Sequence, residues 1–231
     1  MLDLHTHILP LMDDGSQSPE ESLRMLRMEA EQGVAYAVLT PHFYPDREDP
    51  DSFLKRRRES ADKLLNAVQG QTGLPQIRLG AEVTYYDGVS GSERIEGLCI
   101  DGAGALLLEM PICRWTQRML DEVCELRSRR RIQPILAHVE RYLSFQPAGV
   151  VAQLCNRGVW MQANASFFTR WQTSRRALGM LNRREIHFIG SDCHNLTTRR
   201  PNMGEAAVKI EKRLGCDAQQ HLRRMQEQLL G

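Results

Sequence analysis

The chain has 231 residues, enough for one domain with its own hydrophobic core and short for two, so residues 1–231 read as a single catalytic-sized domain. Hydrophobic residues make up 42% and charged residues 26%, near the globular average, which argues against a disordered or membrane-embedded chain. Thirty Lys+Arg against twenty-nine Asp+Glu leave a formal charge of +1, so neither nucleic acid nor a bilayer is indicated as the main partner.

Apolar β-type runs alternate with stretches of helical spacing, which predicts an α/β fold with a mainly parallel sheet. The first strand is Leu2 to His5, followed by a loop carrying Asp13-Asp14-Gly15. Ser18, Pro19 and Glu21 then read as N-cap, first helical residue and capping-box partner. That helix buries Leu23, Leu26 and Ala30 and stops at Gly33. Strand two is Val34 to Thr40, and residues 51–69 form a charged helix burying Phe53, Leu64, Leu65 and Val68. Strand three is Gln76 to Val83, residues 87–104 form a glycine-rich loop or hairpin, and strand four is Ala105 to Glu109. A helix at 115–130, strand Gln133 to His138, a helix near 147–157, strand Val159 to Ala163, a helix near 170–183 and strand Ile186 to Ser191 complete about seven units. Helices near 202–213 and 217–229 close the chain. Basic runs at 55–58 and 127–131 read first as solvated helix surface, with attraction of an anionic partner as the alternative.

Met1 is followed directly by Leu-Asp-Leu-His, with no basic leader and no long apolar run, so the expectation is a cytoplasmic protein without direct membrane insertion. The six cysteines, Cys99, Cys113, Cys124, Cys155, Cys193 and Cys216, contain no Cys-x-x-Cys pair and read as free thiols.

Chemistry collects at the carboxyl ends of the strands, which converge on one rim in parallel α/β folds. His5 and His7 stand two apart, so both imidazoles face one side of an extended chain and can chelate one ion. His42 follows strand two, Glu82 and Glu109 fall near the ends of strands three and four, His138 ends strand five, and Asp192-Cys193-His194 follows the last strand. Five of the seven histidines lie in these places; His187 and His221 read as ordinary core or surface residues. Imidazoles mixed with carboxylates suit Zn²⁺, Mn²⁺ or Fe²⁺, and using all of them takes more than one ion. Asp13 and Asp14 lie in a loop over the same rim, and Asp14 is the better further ligand.

Together, Leu4-His5-Thr6-His7, Pro41-His42, Gly80-Ala81-Glu82, Glu109, Ala137-His138-Val139-Glu140-Arg141 and Ser191-Asp192-Cys193-His194-Asn195 resemble the polymerase and histidinol phosphatase superfamily. Within it, the Asp-Asp-Gly, His-x-Glu-Arg and Ser-Asp-x-His-Asn forms resemble bacterial tyrosine-protein phosphatases of capsular and extracellular polysaccharide synthesis. The resemblance implies a distorted (β/α)7 TIM-like barrel with three divalent ions, usually Mn²⁺, with Fe or Zn as alternatives. It implies a first ion on His5, His7, Glu82 and Asp192, a second on Glu82, Glu109 and His138, and a third on Asp14, His42 and His194. It also implies phosphate-binding arginines at Arg141 and at Arg199, with Arg200 as the competitor for the second place. The implied partner is a phosphotyrosine-bearing bacterial tyrosine kinase, whose anionic tail the basic runs would attract.

The expected chemistry is hydrolysis of phosphotyrosine by direct attack of a metal-bridging hydroxide, with arginine forks on the non-bridging oxygens. Cys193 lacks the Cys-x5-Arg phosphate loop of a cysteine phosphatase and is expected to face away from the metals. The aromatic segment Ser166 to Thr173, with Phe167, Phe168 and Trp171, is read as packing, with stacking on a tyrosyl ring as the alternative. Competing readings are a small-molecule phosphatase such as one for histidinol phosphate, an amidohydrolase whose usual bridging lysine is not evident, and a non-catalytic metal-stabilised binding module.

Overall fold

The computed structural model describes residues 1–231. Its elements are β1 (Leu2–Thr6), α1 (Pro19–Glu31), β2 (Tyr36–Leu39), β3 (His42–Phe43), α2 (Pro50–Val68), β4 (Gln76–Leu79), β5 (Glu82–Thr84), β6 (Ala105–Glu109), α3 (Gln117–Arg130), β7 (Gln133–Leu136), α4 (Val150–Asn156), β8 (Trp160–Asn164), α5 (Ala165–Thr169), α6 (Trp171–Asn182), β9 (Phe188–Gly190), α7 (Met203–Leu214) and α8 (Cys216–Leu230). Every ladder between them is parallel, in the orders β1-β2-β4 and β3-β5-β6-β7-β8-β9.

The two sheets are one curled surface. Single strands expected at 34–40 and 76–83 are each broken, into β2 and β3 at Thr40-Pro41 and into β4 and β5 at Gly80-Ala81. Proline has no N–H for the ladder, and Gly80 sits where an added Cβ would crowd Ile100 and Thr40 at 3.2 and 3.3 Å. Nine strands therefore occupy seven positions around the sheet, the alternation expected of a distorted (β/α)7 barrel. The last position returns to the first: Asp192 N–H donates to His5 O at 2.8 Å and His7 N–H to Cys193 O at 2.9 Å.

Two apolar zones hold this arrangement. The larger lies between sheet and helices, with Met25, Leu26, Phe43, Phe53, Leu106 and Phe168 among its buried members. The smaller gathers Leu2, Leu4, Val38, Ala105, Leu107, Ile135 and Phe188 with Met225 and Leu229, so α8 covers the amino ends of the strands and leaves the carboxyl ends as the accessible rim.

Local chemistry accounts for the helix starts and for several departures from expectation. Ser18 caps α1 by accepting from Glu21 N–H, but the Glu21 carboxylate reaches back to Gln17 N–H rather than closing the box on Ser18. Leu26 is buried as expected, but its companions on the buried face of α1 are Ser22, Met25 and Glu29, while Leu23 and Ala30 are only partly buried. Ser22 turns inward because its hydroxyl donates to Ile8 O at 2.6 Å, and Glu29 because it meets Asp3 beneath the sheet. In α2 the buried set is Phe53, Arg57, Ser60, Ala61 and Leu64; Leu65 lies one residue off that stripe and is 54% exposed. The stretch 87–104 is neither open loop nor hairpin but two 3-10 turns, Val89–Gly91 and Ile95–Leu98, ending in a bridge between Ile100 and Ala105.

Neither basic run is a uniform cationic face on the rim. Arg57 is buried and donates to Gly80 O at 2.8 Å and Gly97 O at 3.2 Å, bracing the β4–β5 break, while Arg56 pairs with Glu48. Arg127, Arg129 and Arg130 end α3, which returns the chain to the start of β7 and so lies at the amino ends of the strands, away from the rim. Arg129 pairs with Glu125 and Arg130 with Glu96.

Candidate metal centre

All nine residues singled out as ligands meet at the rim. His5 and His7 project together from the end of β1, where the β1–β2 register is irregular between Asp3 and Thr6, and their Nε2 atoms are 3.1 Å apart. Glu82 opens β5 rather than ending a strand, and the β4–β5 break turns its carboxylate inward: Oε2 lies 3.0 Å from His5 Nε2, 3.3 Å from His7 Nε2 and 3.0 Å from His42 Nδ1. Its Oε1 is 2.7 Å from His138 Nε2, which in turn is 3.5 Å from Glu109 Oε1. Asp192 Oδ1 sits 3.7 Å from His5 and 3.5 Å from His7, and Asp14 Oδ1 3.3 Å from His194 and 3.8 Å from His42.

Four sets of donor atoms lie within 4.8 Å of one another: His7, Asp14, His42 and His194; His5, Glu82 and His138; His5, His7 and Asp192; and His42, Glu82 and Glu109. The sets overlap more than the three implied ligand groups did. His7 also falls with the Asp14 set, and His42 with Glu82 and Glu109.

The donor chemistry fits divalent cations. His5, His7, His138 and His194 each engage Nδ1 with an oxygen, of Gln162, Asp13, Tyr142 and the Asp192 backbone respectively, and so turn Nε2 toward the cluster. Imidazoles oriented in this way are what metal ligation needs. Buried His194 Nε2 and His42 Nδ1 make no aligned hydrogen bond although carboxylate oxygens of Asp14 and Glu82 stand 3.3 and 3.0 Å away, an arrangement that a cation shared between nitrogen and oxygen would satisfy. Two residues of the cluster also occupy the left-handed backbone region, His138 at φ 31° and Asp192 at φ 53°, a strain that persists only where packing imposes it.

Proton affinities follow from the crowding of opposite charges. Burial alone would lower the His7 imidazole, but hydrogen bonds to Asp13 and Glu82 outweigh it and raise it to about 10. Burial would raise Asp192, yet the neighbouring His5 and His7 bring it down to about 2. Burial, reinforced by the charge of Glu82, pushes Glu109 up to about 7. His194 is lowered to about 4 by burial and by His7 beside it.

Asp13 and Asp14 divide their work. Asp13 accepts from His7 Nδ1–H at 2.7 Å, from His42 N–H at 2.9 Å and from Gly15 N–H at 2.9 Å, which fixes the loop; Asp14 is 66% exposed in its side chain and faces His42 and His194. Arg141 and Arg199 flank Asp192, with Nη2 atoms at 2.5 and 2.8 Å from its two oxygens. Arg200 turns away to Glu205. Cys193 faces the other side of the chain, its Sγ 4.0 Å from Glu29 Oε1, and burial together with Glu29 and Asp3 pushes the thiol well above its ordinary value. Of the aromatic segment, Phe167 and Phe168 are core, whereas Trp171 is 83% exposed.

Sequence reasoning missed Gln162 and Asn164 at the end of β8. Gln162 accepts from His5 Nδ1–H and His138 N–H, and Asn164 donates to Asp192. Their period-two spacing at a strand end was the available signal.

Comparisons with known proteins converge. Tyrosine-protein phosphatase CpsB of Streptococcus pneumoniae is 29% identical over 238 residues, covering 94% of this chain and 92% of the relative. Tyrosine-protein phosphatase YwqE of Bacillus subtilis (strain 168) is 27% identical over 228 residues, covering 94% and 86%. A crystal structure from work on YwqE and CpsB, described as unique metal-dependent tyrosine phosphatases, superposes with a TM-score of 0.87 at 25% identity, covering 100% of this chain and 94% of the other. Residues 1–230 match the family model for capsular polysaccharide synthesis, CpsB/CapC, and this chain belongs to that family.

Proposed function

We propose that residues 1–231 act as one metal-dependent protein-tyrosine phosphatase domain. The observation that carries this reading is the convergence of nine metal-competent side chains and two arginines on the rim where the strands end. Membership of the family and similarity to named tyrosine-protein phosphatases support it.

His5, His7, Glu82 and Asp192 would hold one divalent ion, Glu82, Glu109 and His138 a second, and Asp14, His42 and His194 a third, with Mn²⁺ as the expected native ion and Fe or Zn as alternatives. Such ions, when bound, neutralise the phosphoryl dianion and acidify water for in-line attack on phosphorus. The chain's own side chains do the rest. Arg141 and Arg199 are each about two-fifths or less exposed, anchored on Asp192 by one nitrogen, and keep further guanidinium N–H groups for the non-bridging oxygens of the phosphate. Asp13 holds His7 in the tautomer that offers Nε2. A tyrosine phenolate, with a parent pKa of about 10, leaves without strong acid assistance, which favours aryl over alkyl phosphates.

The substrate is phosphotyrosine on the tail of a bacterial tyrosine kinase of polysaccharide export, dephosphorylated in the cytoplasm. No helix is long and apolar enough to cross a membrane, so contact with a membrane-bound kinase would run through the kinase. The test compares phosphate release by Mn²⁺-loaded protein from a phosphotyrosyl peptide, a phosphoseryl peptide and L-histidinol phosphate. Preferred turnover of the phosphotyrosyl peptide is expected; preferred turnover of histidinol phosphate would move the same site to small-molecule metabolism and overturn the substrate assignment.

A further inference from the structure

β8 is the one interior strand of the curled sheet that brings no metal-competent side chain to the rim, yet it lies between β7, which leads into His138, and β9, which leads into Asp192. Its last turn of sequence carries two buried neutral amides, Gln162 and Asn164, on the same face. They form a continuous chain of hydrogen bonds. Gln162 Oε1 accepts from His138 N–H at 2.6 Å and from His5 Nδ1 at 3.3 Å; Gln162 Nε2 donates to Asn164 Oδ1 at 3.0 Å; Asn164 Nδ2 donates to Asp192 Oδ2 at 2.9 Å.

The direction of that chain is fixed at both ends. A backbone N–H can only donate, so His138 forces the oxygen of Gln162 toward β7. An ionised carboxylate can only accept, so Asp192 forces the NH2 of Asn164 toward β9 and its oxygen toward Gln162. Both constraints give the same amide orientations, and the consequence falls on His5. Facing an oxygen, its Nδ1 carries the proton, which leaves Nε2, 3.0 Å from Glu82 Oε2 and 3.1 Å from His7 Nε2, as the nitrogen whose lone pair would be offered to a cation held among these groups. The space for the chain is provided by Gly190 of β9, where an added Cβ would come within 2.6 Å of His5 Cβ and 2.8 Å of Gln162 Nε2.

We propose that Gln162 and Asn164 are positioning residues that set the tautomer of His5 and the orientation of Asp192, so that a ligand from β1 and a ligand from the segment after β9 are presented to one ion together. This rests on reading the cluster as a metal centre and is independent of the phosphorylated substrate. Outer hydrogen bonds of this type change metal affinity by about 10–100-fold when removed.

The experiment uses the full chain with Zn²⁺ alone as probe, its affinity measured by competition with a chromophoric chelator. Gln162→Met, which removes both amide functions at similar volume, and Asn164→Ala are each expected to weaken zinc binding by about 10–100-fold. Because the chain acts as one unit, the double variant should fall within about twofold of the weaker single variant. Long-range ¹H–¹⁵N spectra of the zinc-loaded wild-type protein supply a second readout: the His5 ring should be protonated at Nδ1, with that proton shielded from solvent exchange, whether or not any variant folds. A His5 ring protonated at Nε2, or unchanged zinc affinity in folded Gln162→Met, would overturn the inference. Wild-type protein that binds no zinc would overturn the metal reading and this inference with it.

Discussion

At the residue scale, neighbours in sequence have opposite fates because the chain alternates sides at the rim. Asp192 and His194 face the donor cluster, while Cys193 between them packs against Glu29 with a thiol held in its neutral form by burial. Cys193→Ser is therefore expected to keep most phosphotyrosine hydrolysis, and His194→Ala to lose it; equal losses in a side-by-side assay would contradict a metal-based mechanism. The arginines separate in the same way. Arg199→Ala, which removes a guanidinium anchored on Asp192, should lower kcat/KM by about 100-fold or more, as loss of a charge-stabilising donor does. Arg200→Ala, which breaks an exposed pair with Glu205, should leave turnover within about twofold, since such surface pairs contribute about 0–1 kcal/mol. Readability in the sequence followed the same division. Histidines, acids and arginines announce themselves by what they can ligate, whereas Gln162 and Asn164 act by orienting others and carry no titratable signature of their own.

At the element scale, loops after the strands do as much as the strands. The β1–α1 loop brings Asp13 onto His7 and Asp14 over His194, and it closes on His7 itself through Ser16 N–H donating to His7 O at 3.0 Å. Gly15 permits this closure: a Cβ there would stand 2.2 Å from His7 O and 2.5 Å from His7 Cβ. Gly15→Ala should therefore destabilise the protein by about 1–3 kcal/mol, the usual cost of overpacking, and weaken metal retention; an unchanged Tm together with unchanged metal content would show that the loop closes some other way. Caps made the helix starts legible, as Ser18 does for α1, because capping is local chemistry. Strand breaks were not legible in the same way. Val34 to Thr40 and Gln76 to Val83 each look like one uninterrupted strand, and only the tertiary curl, braced by buried Arg57 on Gly80 O, turns Glu82 from a strand end into the first residue of β5. The exposed flank of α2 at Leu65 and the inward Ser22 and Glu29 of α1 likewise depend on partners distant in sequence.

For the whole molecule, the two ends of the barrel have separate duties. The amino ends are sealed by α8, where buried His221 Nε2–H donates to Ile186 O at 2.9 Å and His187 Nδ1 accepts from Met161 N–H at 3.1 Å. Burial, with His221 nearby, lowers His187 to about 4. The sign follows: the unfolded chain binds this proton near pH 6.5 and the folded one only near 4, so the contribution is full above 6.5 and is lost as pH falls toward 4. It amounts to about 3 kcal/mol over that window. His187→Asn, which keeps an acceptor for Met161 without a basic ring, should flatten that part of the acid limb in urea unfolding; an identical pH dependence in both proteins would contradict the assignment.

The carboxyl ends form the reactive rim, and the central claim is that its convergent imidazoles and carboxylates are a working metal centre. The most direct measurement strips the protein with chelator, returns Mn²⁺ in steps, and follows bound metal and phosphotyrosyl-peptide turnover on the same samples. Stripped protein is expected to show no turnover, and activity to return only as more than one ion per chain binds. Full turnover by protein free of metal would contradict that claim.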